Sequence, residues 1–183
     1  MQSIQTVSEN TIYVGASDRR LAKFENLFPI PRGVSYNAYV ILDEKTALLD
    51  TADASVGAQF LENVAAALDG RKLDYLIVDH MEPDHAAMIE AVLVRWPDLR
   101  LVVNAKTLPM LKMYFPTDNA AIDDALVVKE GDTLDLGKHK LTFVMAPMVH
   151  WPEVMMTFDT TTGTLFSADA FGTFGALEGA LFA

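Results

Sequence analysis

The order of apolar segments along the chain is the feature that most constrains its fold. Strand-like runs come first, strands then alternate with helical patterns, and the last part again contains only strand-like runs. The predicted strands are 12–14, 35–42, 46–50, 75–78, 101–103, 125–128, 133–136, 140–145, 154–158 and 164–167, and the predicted helices are 54–68, 85–96 and 107–114. This order predicts an α/β fold in which a sandwich of mixed sheets is covered by helices.

Short-range signals mark several element boundaries. The polar residues 43–45 separate two β-rich runs, a pattern typical of a hairpin. Asp84 stands where an N-cap is expected, immediately before the second helical pattern. Pro97 and Pro116 cannot continue a helix, so the second and third predicted helices end before them.

Composition excludes several kinds of site and partner. The chain has 183 residues, a length that fits one domain. It contains no cysteine, so disulfides, thiolate metal sites and thiol catalysis are excluded. Its net charge of −11 argues against nucleic acid and anionic membrane surfaces as partners. Residues 1–10 lack the pattern of a signal peptide, and no apolar run reaches the roughly 18 residues of a membrane span. We therefore expect a cytoplasmic protein.

The segment His-Met-Glu-Pro-Asp-His at 80–85 concentrates potential metal ligands. His80, Glu82, Asp84 and His85 fall within six residues, between an apolar strand and a helix. Sites in open α/β sheets often lie at the carboxyl ends of strands. A single histidine beside an acid is usually an ordinary polar pair, but four such side chains in this context favour metal ligation.

Three further histidines and acids need separate interpretation. His150 and Asp169 each follow a strand-like run, so both are expected at a sheet rim. Taken alone, each is more often structural than a ligand. His139 lies between two lysines, and we expect it to be exposed to solvent. Trp151 is expected to pack, whereas Met81 either packs or lines the pocket.

The pattern His-x-Glu-x-Asp-His, with a distant histidine and a further aspartate, resembles the di-metal motif of the metallo-β-lactamase superfamily. Zinc hydrolases of that superfamily usually carry histidine where Glu82 stands. The version with glutamate is similar to the flavodiiron proteins, or A-type flavoproteins, which reduce dioxygen or nitric oxide. The likeness extends over essentially the whole chain, through segments 12–16, 27–29, 31–39, 49–51 and 166–172.

The resemblance implies a ligand set. His80, Glu82 and His150 would bind one iron, Asp84 and His85 would bind the other, and Asp169 would bridge the two. Asp50 would orient a ligand from behind, although a simple turn at the end of a strand explains it equally well. A carboxylate in place of an imidazole suits iron or manganese better than zinc.

The resemblance also implies an architecture and a reaction. The fold would be a metallo-β-lactamase-like αββα sandwich, incomplete at the C-terminus. Residues 1–183 would form a truncated di-iron domain, with the flavodoxin-like domain absent. The function would be reduction of dioxygen or nitric oxide by non-haem di-iron, with electrons from FMN on another domain or chain.

Partners follow from what the chain lacks. The family pattern has one more histidine downstream of Asp169, and this chain has none there. We therefore expect a fragment or split-gene product that associates with itself or with a complementary C-terminal fragment. A flavodoxin-like domain or flavin-bearing chain, and a rubredoxin-like or other electron donor, would complete the system. Two alternatives remain open: a metal-dependent hydrolase of the same superfamily, and a non-enzymatic subunit for gas sensing or assembly.

Overall fold

Two β-sheets stack face to face, and helices cover the outer face of the larger sheet. The computed structural model describes residues 3–115, 120–179 and 181. The strands are β1 (Gln5–Ser8), β2 (Thr11–Tyr13), β3 (Ala16–Asp18), β4 (Lys23–Phe24), β5 (Phe28–Pro29), β6 (Val34–Tyr36), β7 (Tyr39–Leu42), β8 (Thr46–Leu49), β9 (Tyr75–Ile77), β10 (Arg100–Asn104), β11 (Leu126–Val128), β12 (Thr133–Asp135), β13 (Lys140–Met145), β14 (Met155–Asp159) and β15 (Thr164–Phe166). The helices are α1 (Gly57–Leu68), α2 (Pro83–Ala86), α3 (Ile89–Arg95), α4 (Thr107–Tyr114) and α5 (Ala120–Asp123), and a short 3₁₀ turn at Ala54–Val56 precedes α1.

The larger sheet is mixed, as predicted. Among the described residues its strands run in the order β1-β2-β7-β8-β9-β10-β11. β7 and β8 pair antiparallel around the tight connection at 43–45, which confirms the predicted hairpin. β8, β9, β10 and β11 are parallel neighbours. Parallel neighbours need crossover connections, and the helices α1 to α5 lie in those connections. The carboxyl ends of β8 and β9 therefore meet at one edge.

The second sheet is an antiparallel meander. Its strands run in the order β12-β13-β14-β15, and each pairs with the next along the chain. Two smaller pairs, β3 with β6 and β4 with β5, extend from the amino-terminal region. None of the helices in the described ranges is long and apolar enough to cross a membrane.

Alternation along the central strands builds two separate cores. Leu48 and Leu76 point toward the helices, where they pack in one buried cluster with Phe60 of α1. Their neighbours Leu49 and Ile77 point the other way and pack against the second sheet. The second cluster contains no helical residue among those described. The predicted mixed α/β sandwich is confirmed, with helices on the larger sheet.

Two predicted elements are divided in the structure. The single strand predicted at 35–42 is two strands, because β6 pairs with β3 whereas β7 pairs with β2 and β8. The single helix predicted at 85–96 is interrupted between α2 and α3. Thr51 explains that break, because both its backbone N–H and its hydroxyl donate to the carbonyl oxygen of His85. That carbonyl is engaged by Thr51 at the point where α2 ends.

The start of this helical region also differs from the prediction. Asp84 is not the N-cap, because Glu82 holds that position and Pro83 begins the helix. Proline suits the first helical position, since its φ is already helical and its missing N–H has no partner there. Asp84 thus lies within the first turn and faces the site. The predicted helix end at Pro116 lies outside the described residues.

Candidate metal centre

Polar loops from both sheets converge at one rim of the sandwich. Asp50 follows β8, and the segment 80–85 follows β9 on the larger sheet. His150 lies in the β13–β14 connection, and Asp169 follows β15 on the second sheet. The six residues predicted as ligands are brought together there in two groups. Donors far apart in sequence therefore meet only because the two sheets stack.

The first group consists of His80, Glu82, His150 and Asp169, whose donor atoms all lie within 4.8 Å of one another. Glu82 Oε2 lies 3.1 Å from His80 Nε2 and 2.7 Å from His150 Nε2. Asp169 Oδ2 lies 3.1 Å from His150 Nε2 and 3.6 Å from His80 Nε2. Two imidazole nitrogens and two carboxylate oxygens thus surround one position.

The second group consists of Asp84, His85 and Asp169. His85 Nε2 lies 2.7 Å from Asp169 Oδ1 and 3.6 Å from Asp84 Oδ2. Asp169 therefore points one oxygen at each group. Such an arrangement is the geometry of a carboxylate able to bridge two cations. The backbone of Ala168, with φ of +47°, is in the left-handed region just before it. That conformation is strained for alanine, and strain of this kind clusters at functional sites.

The chemistry of the donors fits bound cations. The three carboxylates of the two groups carry a formal charge of −3 when the three histidines are neutral. Lone pairs of Glu82, Asp169 and the imidazoles all point inward, so either protons or cations must lie between them. Among the described residues, Asp84 Oδ1 is buried without a hydrogen-bond partner. A donor set of carboxylate and imidazole without sulfur suits iron, manganese or zinc.

Protons and cations compete for these atoms. Burial lowers the pKa of His80, but hydrogen bonds with Glu153 and Glu82 outweigh it and raise that pKa to about 9. Burial raises the pKa of Asp84 to about 6. Burial also acts to raise the pKa of Asp169, but hydrogen bonding and charge from His85 lower it to about 2. Perturbed pKa values of this size are typical of functional sites, and cation binding there must displace protons.

Asp50 orients His85 from behind. Its Oδ1 accepts the N–H of Asp79 at 2.7 Å, and its Oδ2 lies 3.0 Å from His85 Nδ1. An ionised carboxylate only accepts, so His85 Nδ1 carries the proton and Nε2 faces the site. Asp50 also turns the chain at the end of β8, with φ of +55°. Asp50 thus lies at the turn that ends the strand, as one alternative held, and its role in orienting a metal ligand stays a prediction.

Glu153 is a site residue that the sequence did not reveal. It is 1% exposed, and its Oε1 lies 2.8 Å from His80 Nδ1. Its position three residues after His150, in Trp-Pro-Glu, was the available signal. That signal is weak, because one acid in a loop carries no spacing pattern.

Three other expectations are decided by the structure. Met81 is 1% exposed and belongs to the core under the helices, so it packs. Trp151 stands edge-on to the His80 ring, with 5.4 Å between ring centroids, and so borders the site. The expectation that His139 is exposed is wrong: it is fully buried, and its Nδ1 lies 2.8 Å from Asp159 Oδ2. Its two lysine neighbours are exposed, whereas the imidazole of His139, which lies just before β13, reaches Asp159 at the end of β14.

Comparison with known proteins identifies the family of the chain. The family model described as ODP family beta lactamase matches residues 34–182. The chain is 38% identical over 170 residues to the anaerobic nitric oxide reductase flavorubredoxin of Klebsiella pneumoniae subsp. pneumoniae, a match that covers 91% of this chain and 34% of that protein. The chain thus spans about a third of this relative's length.

Solved structures give the same result. Rubredoxin oxygen:oxidoreductase from Desulfovibrio gigas superposes with a TM-score of 0.90 at 31% identity, over 96% of this chain and 43% of that chain. The flavodiiron protein from Giardia intestinalis superposes with a TM-score of 0.87 at 27% identity, over 97% and 42%. The predicted resemblance to flavodiiron proteins is confirmed, and the chain belongs to the ODP beta lactamase family.

Proposed function

We propose that this chain is the metal-binding part of a non-haem di-iron oxidoreductase that reduces dioxygen, nitric oxide or both. The observation that carries the proposal is the pair of donor groups that share Asp169. The Klebsiella relative is named a nitric oxide reductase, and the Desulfovibrio protein is named an oxygen oxidoreductase. These names favour redox chemistry over the hydrolase alternative.

Each residue has a role in this proposal. His80, Glu82 and His150 would hold one iron, Asp84 and His85 would hold the other, and Asp169 would contribute to both. The second group offers fewer side chains than the first, so water or a residue of a neighbouring chain would complete it. FMN on a separate domain or chain would supply the electrons, and a rubredoxin-like donor would reduce that FMN.

Some residues of the site are held rigidly, and others leave it accessible. A bound pair of iron ions would supply electron transfer and polarisation of the gas. His80 and His85 are buried and held by carboxylates, so the inner side of the site is rigid. The side chain of His150 is 56% exposed and that of Asp169 is 33% exposed. The outer side is therefore open to a small diffusing substrate.

Metal content tests the proposal directly. Anaerobically purified wild-type chain should contain about two iron ions per chain, as in two-metal sites generally. Asp169→Ala should lose both, because both groups include this carboxylate. Glu82→Ala should mainly weaken iron binding by the first group of donors. Asp135→Ala, which removes an exposed carboxylate of β12, is the matched control and should keep full loading. Plasma mass spectrometry measures each stoichiometry.

Activity distinguishes the redox hypothesis from its alternatives. Iron-loaded chain, supplied with a flavin-bearing partner and a reductant, should consume dioxygen or nitric oxide. Hydrolysis of a generic phosphodiester by zinc-loaded chain, with no gas consumed by the iron form, would instead favour the hydrolase. A folded wild-type chain that binds no metal would refute the di-iron assignment.

A further inference from the structure

We propose that Glu153 is a positioning residue that sets which nitrogen of His80 faces the metals and strengthens it as a donor. This inference rests on the proposed function, because it concerns the affinity of the same site. Neither the motif at 80–85 nor the resemblance assigns a role to this glutamate. The residue lies 73 positions from His80 in sequence and reaches it from the second sheet.

The hydrogen bonds at Glu153 determine the tautomer of His80. Oε1 accepts the backbone N–H of Met81 at 3.0 Å and lies 2.8 Å from His80 Nδ1. An ionised carboxylate only accepts hydrogen bonds, so Nδ1 must carry a proton. The lone pair of the neutral ring is then on Nε2, the atom that faces Glu82 and Asp169. Glu153 thus selects the ligating nitrogen.

The loop that carries Glu153 is held firmly in place. Its backbone carbonyl accepts a hydrogen bond of 2.5 Å from Asn104 Nδ2 at the end of β10. The next strand is also tied to the larger sheet, since the N–H of Met155 donates to the carbonyl of Asp79. Asn104 and Glu153 are both buried. The carboxylate therefore has little freedom to rotate away from the imidazole.

The charge of Glu153 is directed at His80. Within the described part of the chain, its salt-bridge partner is His80 alone, and its Oε2 is buried without a hydrogen-bond partner. A buried carboxylate with no other compensating cation polarises the imidazole N–H that it binds. Polarisation raises the electron density on Nε2. Mutation of an outer carboxylate of this kind typically lowers metal affinity by about 10–100-fold.

Variants of Glu153 separate positioning from structural support. Glu153→Gln keeps an acceptor for His80 and Met81 but removes the charge, whereas Glu153→Ala removes both. Glu130→Gln is the matched control, because Glu130 Oε2 also accepts a backbone N–H, that of Met145 at 2.6 Å, without contacting a histidine. Dissociation constants for Co²⁺ are measured by chelator competition, and the visible absorption of bound Co²⁺ reports its ligand field. Urea unfolding of metal-free protein reports stability.

We expect Glu153→Gln to weaken the binding of one of the two Co²⁺ ions by about 10-fold and to shift the visible absorption of that ion. The stability of the metal-free protein should stay close to that of wild type. Glu153→Ala should weaken the binding of that ion by about 100-fold, so glutamine at this position partly restores the affinity that alanine loses. Glu130→Gln should bind as wild type does. The inference about Glu153 would be overturned if both variants bound Co²⁺ with wild-type affinity, or if their losses of affinity merely followed their losses of metal-free stability. Either result would leave the proposed function intact. A wild-type chain that binds no Co²⁺ would overturn the proposed function as well.

Discussion

Replacing His139 tests whether the buried pair with Asp159 stabilises the fold. His139→Ala removes the hydrogen bond to Asp159 Oδ2 and leaves a buried carboxylate at the end of β14. Burial acts to raise the pKa of Asp159, but hydrogen bonds from Thr162 and His139 outweigh it and keep that pKa below its ordinary value. The carboxylate is therefore ionised at neutral pH, and it needs its partners.

The size of the effect follows from the remaining contacts. Leaving a buried hydrogen-bond acceptor without one of its partners costs about 1–3 kcal/mol, and more when the acceptor is charged. Asp159 keeps hydrogen bonds from Thr161 N and Thr162 Oγ1, so we expect a loss of about 3 kcal/mol. In a chain of this length each kcal/mol lowers the melting temperature by about 2–4 °C. The expected decrease is about 6–12 °C.

Urea unfolding followed by far-UV circular dichroism measures this free energy. A chelator is included, because a ligand that binds the folded chain would add its own stabilisation. Lys138→Ala is the neighbouring control: its ammonium pairs with Glu9 at the surface, and such pairs contribute about 0–1 kcal/mol. Ordinary surface substitutions change the free energy of unfolding by no more than about 0.5 kcal/mol. A loss of that size in His139→Ala would refute the claim that the buried pair stabilises the fold.

Two further changes test the core and the acid limit of the fold. Phe143→Ala should destabilise by about 3–5 kcal/mol, because Phe143 is fully buried between the two sheets; a urea midpoint near wild type would contradict that packing. Hydrogen bonds from Arg20 lower the pKa of Asp18 to about 2, so ionised Asp18 stabilises the fold above its unfolded pKa of about 4. That contribution is lost as the pH falls through about 2. The stability difference between wild type and Asp18→Asn should therefore be constant above pH ~4 and narrow below it, and a gap that widens on acidification would be inconsistent with the Arg20 contact.

Local patterns predicted the parts of the fold that depend on neighbours in sequence. The hairpin around 43–45 and the helix α1 are such cases, because turn chemistry and helical spacing are short-range properties. The break between α2 and α3 was missed, since it depends on Thr51, a residue more than thirty positions away. The division of 35–42 was missed for a similar reason, as only pairing partners reveal a change of sheet.

The candidate site shows the same limit. The potential ligands at 80–85 are recognisable because four lie within six residues, whereas Glu153 and His139 are recognisable only through contacts with residues 73 and 20 positions away. Lysines beside His139 indicated exposure, yet just before β13 the chain buries this imidazole and exposes both lysines. Sequence therefore revealed the cluster of donors but not the carboxylate behind His80.

The meeting of two sheets at Asp169 makes a bound ion a cross-link as well as a cofactor. Four donors lie within six residues and remain close together when the chain unfolds. His150 and Asp169 come from the other sheet, 68 residues from Glu82 and 84 residues from His85. An ion stabilises the native state only by the difference between its folded and unfolded affinities. That difference arises because the bound ion closes long loops of the chain, so metal loading would cross-link the two sheets at the rim of the sandwich.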